Sequence, residues 1–137
     1  MAGDPFGDDL PALHLLRLTM TDARGSVLSE NTYWRYTVDI AMRELNQLAP
    51  TSVWVDFRPA REGYTATIRN TGRTVAAMVR LSLRERDGVE RVLPTLYGDN
   101  YLWLLPGESR TVTVSPRRPV EHPRLLVEGY NVAGKVW

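Results

Sequence analysis

The chain has 137 residues, of which 43% are hydrophobic and 24% charged, the size and composition of one folded domain. Its formal net charge of +1 gives no electrostatic argument for binding nucleic acid or an anionic membrane. Cysteine is absent, which excludes disulfides and thiol chemistry, and Lys135 is the one basic residue that is not arginine.

The first eleven residues, MAGDPFGDDLP, are polar and rich in glycine, proline and aspartate. This composition is typical of a flexible arm or linker, and it lacks the basic and apolar regions of a signal peptide. No run in the chain approaches the ~18 apolar residues of a membrane helix. We therefore predict an arm at residues 1–11 and one domain at residues 12–137. The compartment stays open.

The remainder of the chain is dominated by short segments with strand-like alternation. They cover residues 13–20, 27–34, 51–57, 63–70, 74–86, 91–94, 101–105, 109–115 and 124–132. Turn sequences such as TDARGS, NTGR and RDGVE separate them. One helix candidate, DIAMRELNQL, begins at Asp39 and is closed by Pro50. Regularly spaced strands predict an all-β antiparallel sandwich of about seven to nine strands, with one short helix in a connection.

The alternation also predicts a core and a turn. Apolar positions on one face of three strands should lie between two sheets: Leu16, Leu18, Val79, Leu81, Leu102 and Leu104. In PGES, Pro106 suits the second position of a type II turn, and Gly107 suits the positive φ of the third. Such a turn can carry the chain from one sheet to the other.

No segment carries a recognisable catalytic or metal motif. A glycosidase needs two facing carboxylates, and the acids here lie mostly in turns or on solvated strand faces. The two histidines, His14 and His122, are far apart and have no partner at ligand spacing, so we predict no metal and no cofactor. Nucleophile elbows and glycine-rich nucleotide loops are also absent from the sequence.

The aromatic residues allow two interpretations. Four tryptophans and six tyrosines can serve as core material of a small sandwich, or their flat faces can stack on sugar rings. The segment YGDNY places Asp99 between Tyr97 and Tyr101, the arrangement best suited to a sugar or a cationic glycan. Asp99 and Asn100 fit best as turn residues whose side chains bond nearby backbone.

An ordered set of segments carries a family resemblance. These segments are NTYW at 31–34, RNTG at 69–72, VAAMVRLSL at 75–83, RVLPTLYGDN at 91–100, GDNYLWLLPGESRTVTV at 98–114 and VEGYNV at 127–132. Together they resemble the C-terminal immunoglobulin-like domain of family 2 glycoside hydrolases, especially exo-β-D-glucosaminidases and their β-mannosidase-like relatives. The sequence departs from that family at Tyr130, where the family more often has tryptophan.

The resemblance implies an immunoglobulin-like sandwich without catalytic residues, because the family's catalytic glutamates lie on a separate barrel domain. The implied function is that of a non-catalytic accessory domain whose partners are the catalytic and other domains of the parent enzyme. Structural roles within the motif are implied for Asn31, Tyr33, Trp34, Asn100, Pro106, Gly107 and Asn131.

Two alternatives remain open at this point. The chain could be an autonomous carbohydrate-binding module for chitosan-like or mannan-like polysaccharide, with Tyr97, Asp99 and Tyr101 as the contact candidates. It could also be a generic immunoglobulin-like domain that binds proteins. Neither alternative involves nucleic acid, a membrane or catalysis by this chain alone.

Overall fold

A computed structural model describes residues 10–36 and 39–137 of the chain. The chain divides at Leu48 into two compact units, residues 1–48 and Ala49–Trp137. The domain boundary predicted near residue 12 stays a prediction, and residues 1–9 of the predicted arm lie outside the described residues. In the part that is described, no helix has the length and apolar character needed to cross a membrane.

The first unit contains a long β-hairpin and a helix. Strand β1 (Leu13–Thr21) pairs antiparallel with β2 (Val27–Tyr36). Gly25, with φ 83°, supplies the left-handed residue of the connecting turn, as the sequence predicts. The predicted helix is confirmed as a 3₁₀ helix, Asp39–Gln47.

The second unit is an immunoglobulin-like sandwich of two four-stranded antiparallel sheets. Its eight strands are β3 (Val53–Pro59), β4 (Tyr64–Asn70), β5 (Ala76–Arg84), β6 (Thr95–Tyr97), β7 (Leu102–Leu104), β8 (Ser109–Pro116), β9 (Arg124–Glu128) and β10 (Lys135–Val136). With the two hairpin strands, the described parts of the chain contain ten strands, where the sequence predicted about seven to nine. One sheet has the order β10-β9-β5-β7 and the other β3-β4-β8-β6. The segment 91–94, predicted as a strand, instead leads into β6.

The core of the sandwich is built from alternating positions of both sheets. Val79, Leu81, Leu102 and Leu104 of the first sheet pack in one cluster with Ile68 and other residues of the second. Four of the six predicted core residues are therefore confirmed. From Val79 onward, beyond the register shift, the odd-numbered side chains of β5 point into this core, so the even-numbered ones lie on the outer face of the sheet.

The two predicted core residues of β1 are not in that core. Leu18 is 51% exposed, Leu16 is only partly buried, and neither belongs to the core cluster. The reason is the pairing of β1, which has β2 as its one strand neighbour in the described parts of the chain. A two-stranded ribbon shows the same alternation as a sandwich strand, although it belongs to neither sheet.

The PGES turn has the predicted geometry. Gly107 has φ 79°, and the amide of Glu108 donates to the carbonyl of Leu105 at 2.9 Å. The turn connects β7 in one sheet with β8 in the other, so it carries the chain across the sandwich. A Cβ built on Gly107 meets nothing within 4 Å, so the glycine is required by its backbone angle and not by close packing.

Candidate functional site

Asn100 anchors the YGDNY loop to strand β5. Its Oδ1 accepts a hydrogen bond from the amide of Leu81 at 2.8 Å, and its Nδ2 donates to the carbonyl of Leu81 at 3.1 Å. The same Oδ1 also accepts from the amide of Tyr101 at 3.0 Å. The side-chain amide thus imitates a peptide group and continues the β5–β7 pairing beyond the end of β7.

Both the hydroxyl and the ring of Tyr97 make contacts inside the fold. Its hydroxyl accepts a hydrogen bond from the amide of Leu83 at 2.7 Å, and its ring packs against the core. Burial raises the pKa of this phenol, while the Leu83 amide acts in the opposite direction. The contact between Tyr97 and a sugar stays a prediction. In this structure the Tyr97 hydroxyl is already hydrogen-bonded to the Leu83 amide.

Asp99 is exposed, and its carboxylate is hydrogen-bonded to the backbone of the same loop. Its Oδ1 accepts from the amide of Asn100 at 2.8 Å, which is the local pairing expected of a turn residue. Its predicted role in glycan contact is untested. Across residues 10–36 and 39–137, no three acidic or histidine side chains are grouped so that they could hold a metal ion.

Tyr101 belongs to a different neighbourhood from Tyr97 and Asp99. It is 54% exposed and has φ 58°, a left-handed conformation that tyrosine rarely adopts. Its neighbours line an open cavity of about 250 Å³, which we call the tyrosine cavity: Met78, Arg80, Tyr101, Glu128, Gly129 and Tyr130. The structure therefore separates the three residues that the sequence grouped together.

The tyrosine cavity lies where β7, β5 and β9 run side by side. Arg80 on β5 is directly opposite Glu128 on β9, and the two side chains form an ion pair. The hydrogen bond to the Glu128 carboxylate raises the pKa of the Arg80 guanidinium, and Tyr101 acts in the same direction. The wall of the cavity therefore presents a donor and an acceptor whose charges cancel.

Backbone strain is concentrated at this cavity. Met78, with φ 52°, and Tyr101 are the two non-glycine residues with positive φ in the described part of the chain. Met78 lies where the β5–β7 register shifts, between Ala76 and Val79, so a bulge displaces the strand there. Both strained residues line the cavity.

Several cavity residues were missed by sequence reasoning. Arg80 and Glu128 are 48 positions apart, and their pairing depends on the β5–β9 register. In the sequence, Tyr130 stands out only because the family more often has tryptophan at that position. The available signal was the alternation of β5, which places Met78 and Arg80 on the face opposite to the core.

Asn131, one of the motif residues, bonds three backbone groups through its side-chain amide, and its role in the family motif stays a prediction. Its Oδ1 accepts from the amide of Ala77 at 2.9 Å. Its Nδ2 donates to the carbonyls of Ala49 at 2.8 Å and Val75 at 2.9 Å. One side chain therefore joins the segment after β9 to the beginning of β5 and to the segment before β3.

Three further motif residues lie on β2. Asn31 is exposed, Tyr33 is 49% exposed, and Trp34 is partly buried. Within the hairpin register, Tyr33 is opposite Leu16 and Trp34 is opposite Leu15. Their structural roles stay predictions.

Asn70 holds the two sheets together and was not singled out by the sequence. It is fully buried at the end of β4. Its Nδ2 donates to the carbonyl of Leu104 on β7 at 2.9 Å and to that of Thr74 at 2.8 Å. Its Oδ1 accepts from the Thr51 hydroxyl at 3.1 Å and from the amide of Gly72 at 3.0 Å, so its side chain is fully satisfied.

Comparison with protein families supports this architecture. Residues 31–132 match the model described as the exo-β-D-glucosaminidase Ig-fold domain. The chain is 32% identical to an exo-β-D-glucosaminidase of Streptomyces avermitilis, over 90% of this chain and 17% of that protein. It is 29% identical to an exo-β-D-glucosaminidase of Hypocrea jecorina, over 77% of this chain and 15% of that protein.

Solved structures agree on the fold. The crystal structure of an exo-chitosanase from Amycolatopsis orientalis matches 95% of this chain and 18% of its own, with a TM-score of 0.75 and 21% identity. At this identity the likeness establishes the fold alone. The chain spans less than a fifth of each of these three proteins.

Proposed function

Because the chain belongs to the family of exo-β-D-glucosaminidase Ig-fold domains, we propose that it is a non-catalytic accessory domain of such an enzyme. In this role it packs on the catalytic barrel of the parent polypeptide and supports it. The observation that carries the proposal is the coverage, since the family match spans most of this chain but the chain spans only 17% of its Streptomyces relative. We assign the parent to family 2 of the glycoside hydrolases, on the resemblance in sequence.

The way the sandwich uses its acids supports a non-catalytic role. Glycoside hydrolysis requires two carboxyl groups about 5–10 Å apart across a cleft, one of them free to donate a proton. In the sandwich, Glu128 is paired with Arg80 and Glu85 with Arg118. Glu108 accepts from the amide of Leu105 at 2.7 Å within the PGES turn. These carboxylates serve the fold.

The hairpin of the first unit offers a surface suited to another domain. Leu18 and Met20 point to the same face of β1, and they are 51% and 58% exposed. Tyr33 lies on that face as well, because it is opposite Leu16 in the register. Contiguous exposed apolar side chains of this kind mark protein interaction sites. We call Leu18, Met20 and Tyr33 the hairpin face.

The test uses a parent enzyme from which this domain has been deleted. Adding the 137-residue chain in trans should restore thermal stability and hydrolysis of an aryl β-D-glucosaminide, whereas the chain alone should show no turnover. The double variant Leu18→Ser/Met20→Ser should fail to restore either property. Val89→Ser, at a 70% exposed apolar position of the sandwich, is the matched control and should restore both.

Two results would contradict the proposal. The first is turnover by the purified chain that disappears when a single acid of this chain is replaced. The second is a truncated parent whose stability and activity match those of the complete enzyme.

A further inference from the structure

We propose that the tyrosine cavity binds one pyranose ring of a β-linked glycan, and that it does so without selecting for an amino group on the sugar. The proposal goes beyond the accessory role, because it assigns a ligand site to the outer face of the sandwich. It rests on the side chains, the charge balance and the backbone geometry of this cavity.

The side chains supply the two kinds of contact that a sugar ring requires. Tyr101 and Tyr130 are 54% and 51% exposed, so each offers aromatic surface to the apolar C–H face of a pyranose. Arg80 contributes guanidinium donors, and Glu128 contributes a carboxylate acceptor, for the ring hydroxyls. Arg80 comes from β5 and Glu128 from β9, whereas Tyr101 directly precedes β7 and Tyr130 follows β9, and all four line the one cavity.

The charge balance predicts the lack of selection for an amine. Arg80 and Glu128 form an ion pair, so together they have no net charge to attract an ammonium group. A protonated amine placed at Glu128 would also lie beside the guanidinium, and like charges at that distance repel. A neutral hydroxyl can use the pair without either penalty.

The backbone geometry indicates a binding role. Positive φ at a non-glycine residue costs on the order of 1–3 kcal/mol, persists only where the surrounding structure enforces it, and clusters at active and ligand-binding sites. Here Met78 and Tyr101 both carry that strain, and both contribute to the cavity wall. The bulge at Met78 redirects the outer side chains of β5 at this point.

The size and polarity of the cavity suit a single sugar ring. Its volume of about 250 Å³ is below the ~300–1,000 Å³ of typical small-molecule sites, which suits one ring. The ion pair of Arg80 and Glu128 in its wall supplies hydrogen-bonding groups that ring hydroxyls can use. The hairpin face has the apolar character expected of a protein contact.

The experiment titrates the 137-residue chain with a β-1,4-linked glucosamine hexamer and with cellohexaose, which carries a hydroxyl where glucosamine has the amine. Binding is followed by calorimetry, and thermal unfolding confirms that each variant is folded. We expect both hexamers to bind, with dissociation constants within about threefold of each other. Tyr101→Ala and Tyr130→Ala should each weaken binding by about five- to tenfold, the size of an aromatic contact. Tyr36→Ala, at a 49% exposed tyrosine of the hairpin outside the hairpin face, is the control and should leave binding unchanged.

Four outcomes would overturn this inference. Binding of neither hexamer by the folded chain would remove the site, and binding unaffected by both cavity variants would place it elsewhere. Binding of the glucosamine hexamer alone would show that the amine is selected. If Tyr101→Ala instead prevents the chain from stabilising the truncated parent, the cavity is part of a domain contact. Failure of glycan binding leaves the trans-complementation result intact, so the two proposals fail separately.

Discussion

The hairpin and the sandwich use the same alternating pattern with opposite results. In the sandwich, the inward positions of β5 are almost completely buried, with Leu81 at 2% and Leu83 at 1% exposure. In the hairpin, Leu18 and Met20 alternate in the same way on β1 and are more than half exposed. The difference is the presence of a facing sheet, which β5 has and β1 lacks within its own unit. Alternation shows that one face of a strand is meant to be covered, but it does not show what covers it.

This contrast is functional as well as structural. The stability of the sandwich is explained by contacts within the chain, so its outer face is free to carry a small polar site. The hairpin carries apolar side chains that its own unit leaves exposed, which favours a partner of the same polypeptide. The predictions that follow test how far the two regions differ.

The largest expected effect separates the two regions directly. Leu81→Ala should lower the free energy of unfolding by about 2–5 kcal/mol, because it leaves a cavity in the packed core. Leu18→Ala should change it by less than about 0.5 kcal/mol, since that side chain is exposed. Chemical denaturation of both variants measures the difference. Equal losses would mean that the hairpin face is covered within this chain.

The next effect concerns the polar link between the two sheets. Asn70→Ala should cost about 2–4 kcal/mol, because the buried carbonyl of Leu104 and the amide of Gly72 lose their partner. Denaturant unfolding followed by tryptophan fluorescence provides the measurement. Asn31→Ala, at an exposed asparagine of the hairpin, is the matched control and should be nearly neutral. A loss below ~1 kcal/mol at Asn70 would show that water replaces the amide.

A smaller effect is expected at the turn that crosses the sandwich. Gly107→Val should destabilise the fold by roughly 1–3 kcal/mol, because a β-branched residue strongly avoids the left-handed region. Gly107→Asn should be much milder, since asparagine tolerates that region. Thermal unfolding of the two variants gives the comparison. Equal destabilisation would indicate a packing role, which the open space around Gly107 contradicts.

The smallest effect is at Tyr97 and depends on pH. Tyr97→Phe should cost about 1–2 kcal/mol near neutral pH, because the amide of Leu83 loses its acceptor. Burial holds the pKa of Tyr97 above its ordinary value of 10.0, so the folded state binds this proton more tightly than the unfolded state. The contribution is fully present below about pH 10 and is lost as pH rises through the folded-state pKa.

The advantage of the wild type over Tyr97→Phe should therefore narrow above pH 10, even though Arg84 and Arg91 partly offset the shift. Urea denaturation of both proteins between pH 7 and about pH 11 tests this. A stability difference between the two proteins that widens across that range would contradict the raised pKa of Tyr97.

The sequence predicted those features that depend on local rules. The PGES turn follows from the restricted φ of proline and the freedom of glycine, and the sandwich core follows from alternation within single strands. The ion pair of Arg80 and Glu128 could not be predicted in this way, because it requires the register of two strands that are distant in the chain. Tyr97 and Tyr101 are four residues apart, yet they lie in different surroundings. The chain has a positive φ at Tyr101, and no periodicity in the sequence indicates that change of direction.

The hydrogen bonds that other segments make to the backbone of β5 also determine whether this sheet can pair with a strand of another molecule. Strand β7 is only three residues long, so the part of β5 beyond it would expose free peptide groups along its flank. Asn100 occupies both peptide groups of Leu81, Tyr97 occupies the amide of Leu83, and the amide of Val92 donates to the carbonyl of Leu83 at 3.0 Å. A strand from a second molecule therefore finds no open template there. The same contacts that order the loop protect the domain from intermolecular β-pairing and from the aggregation that begins with it.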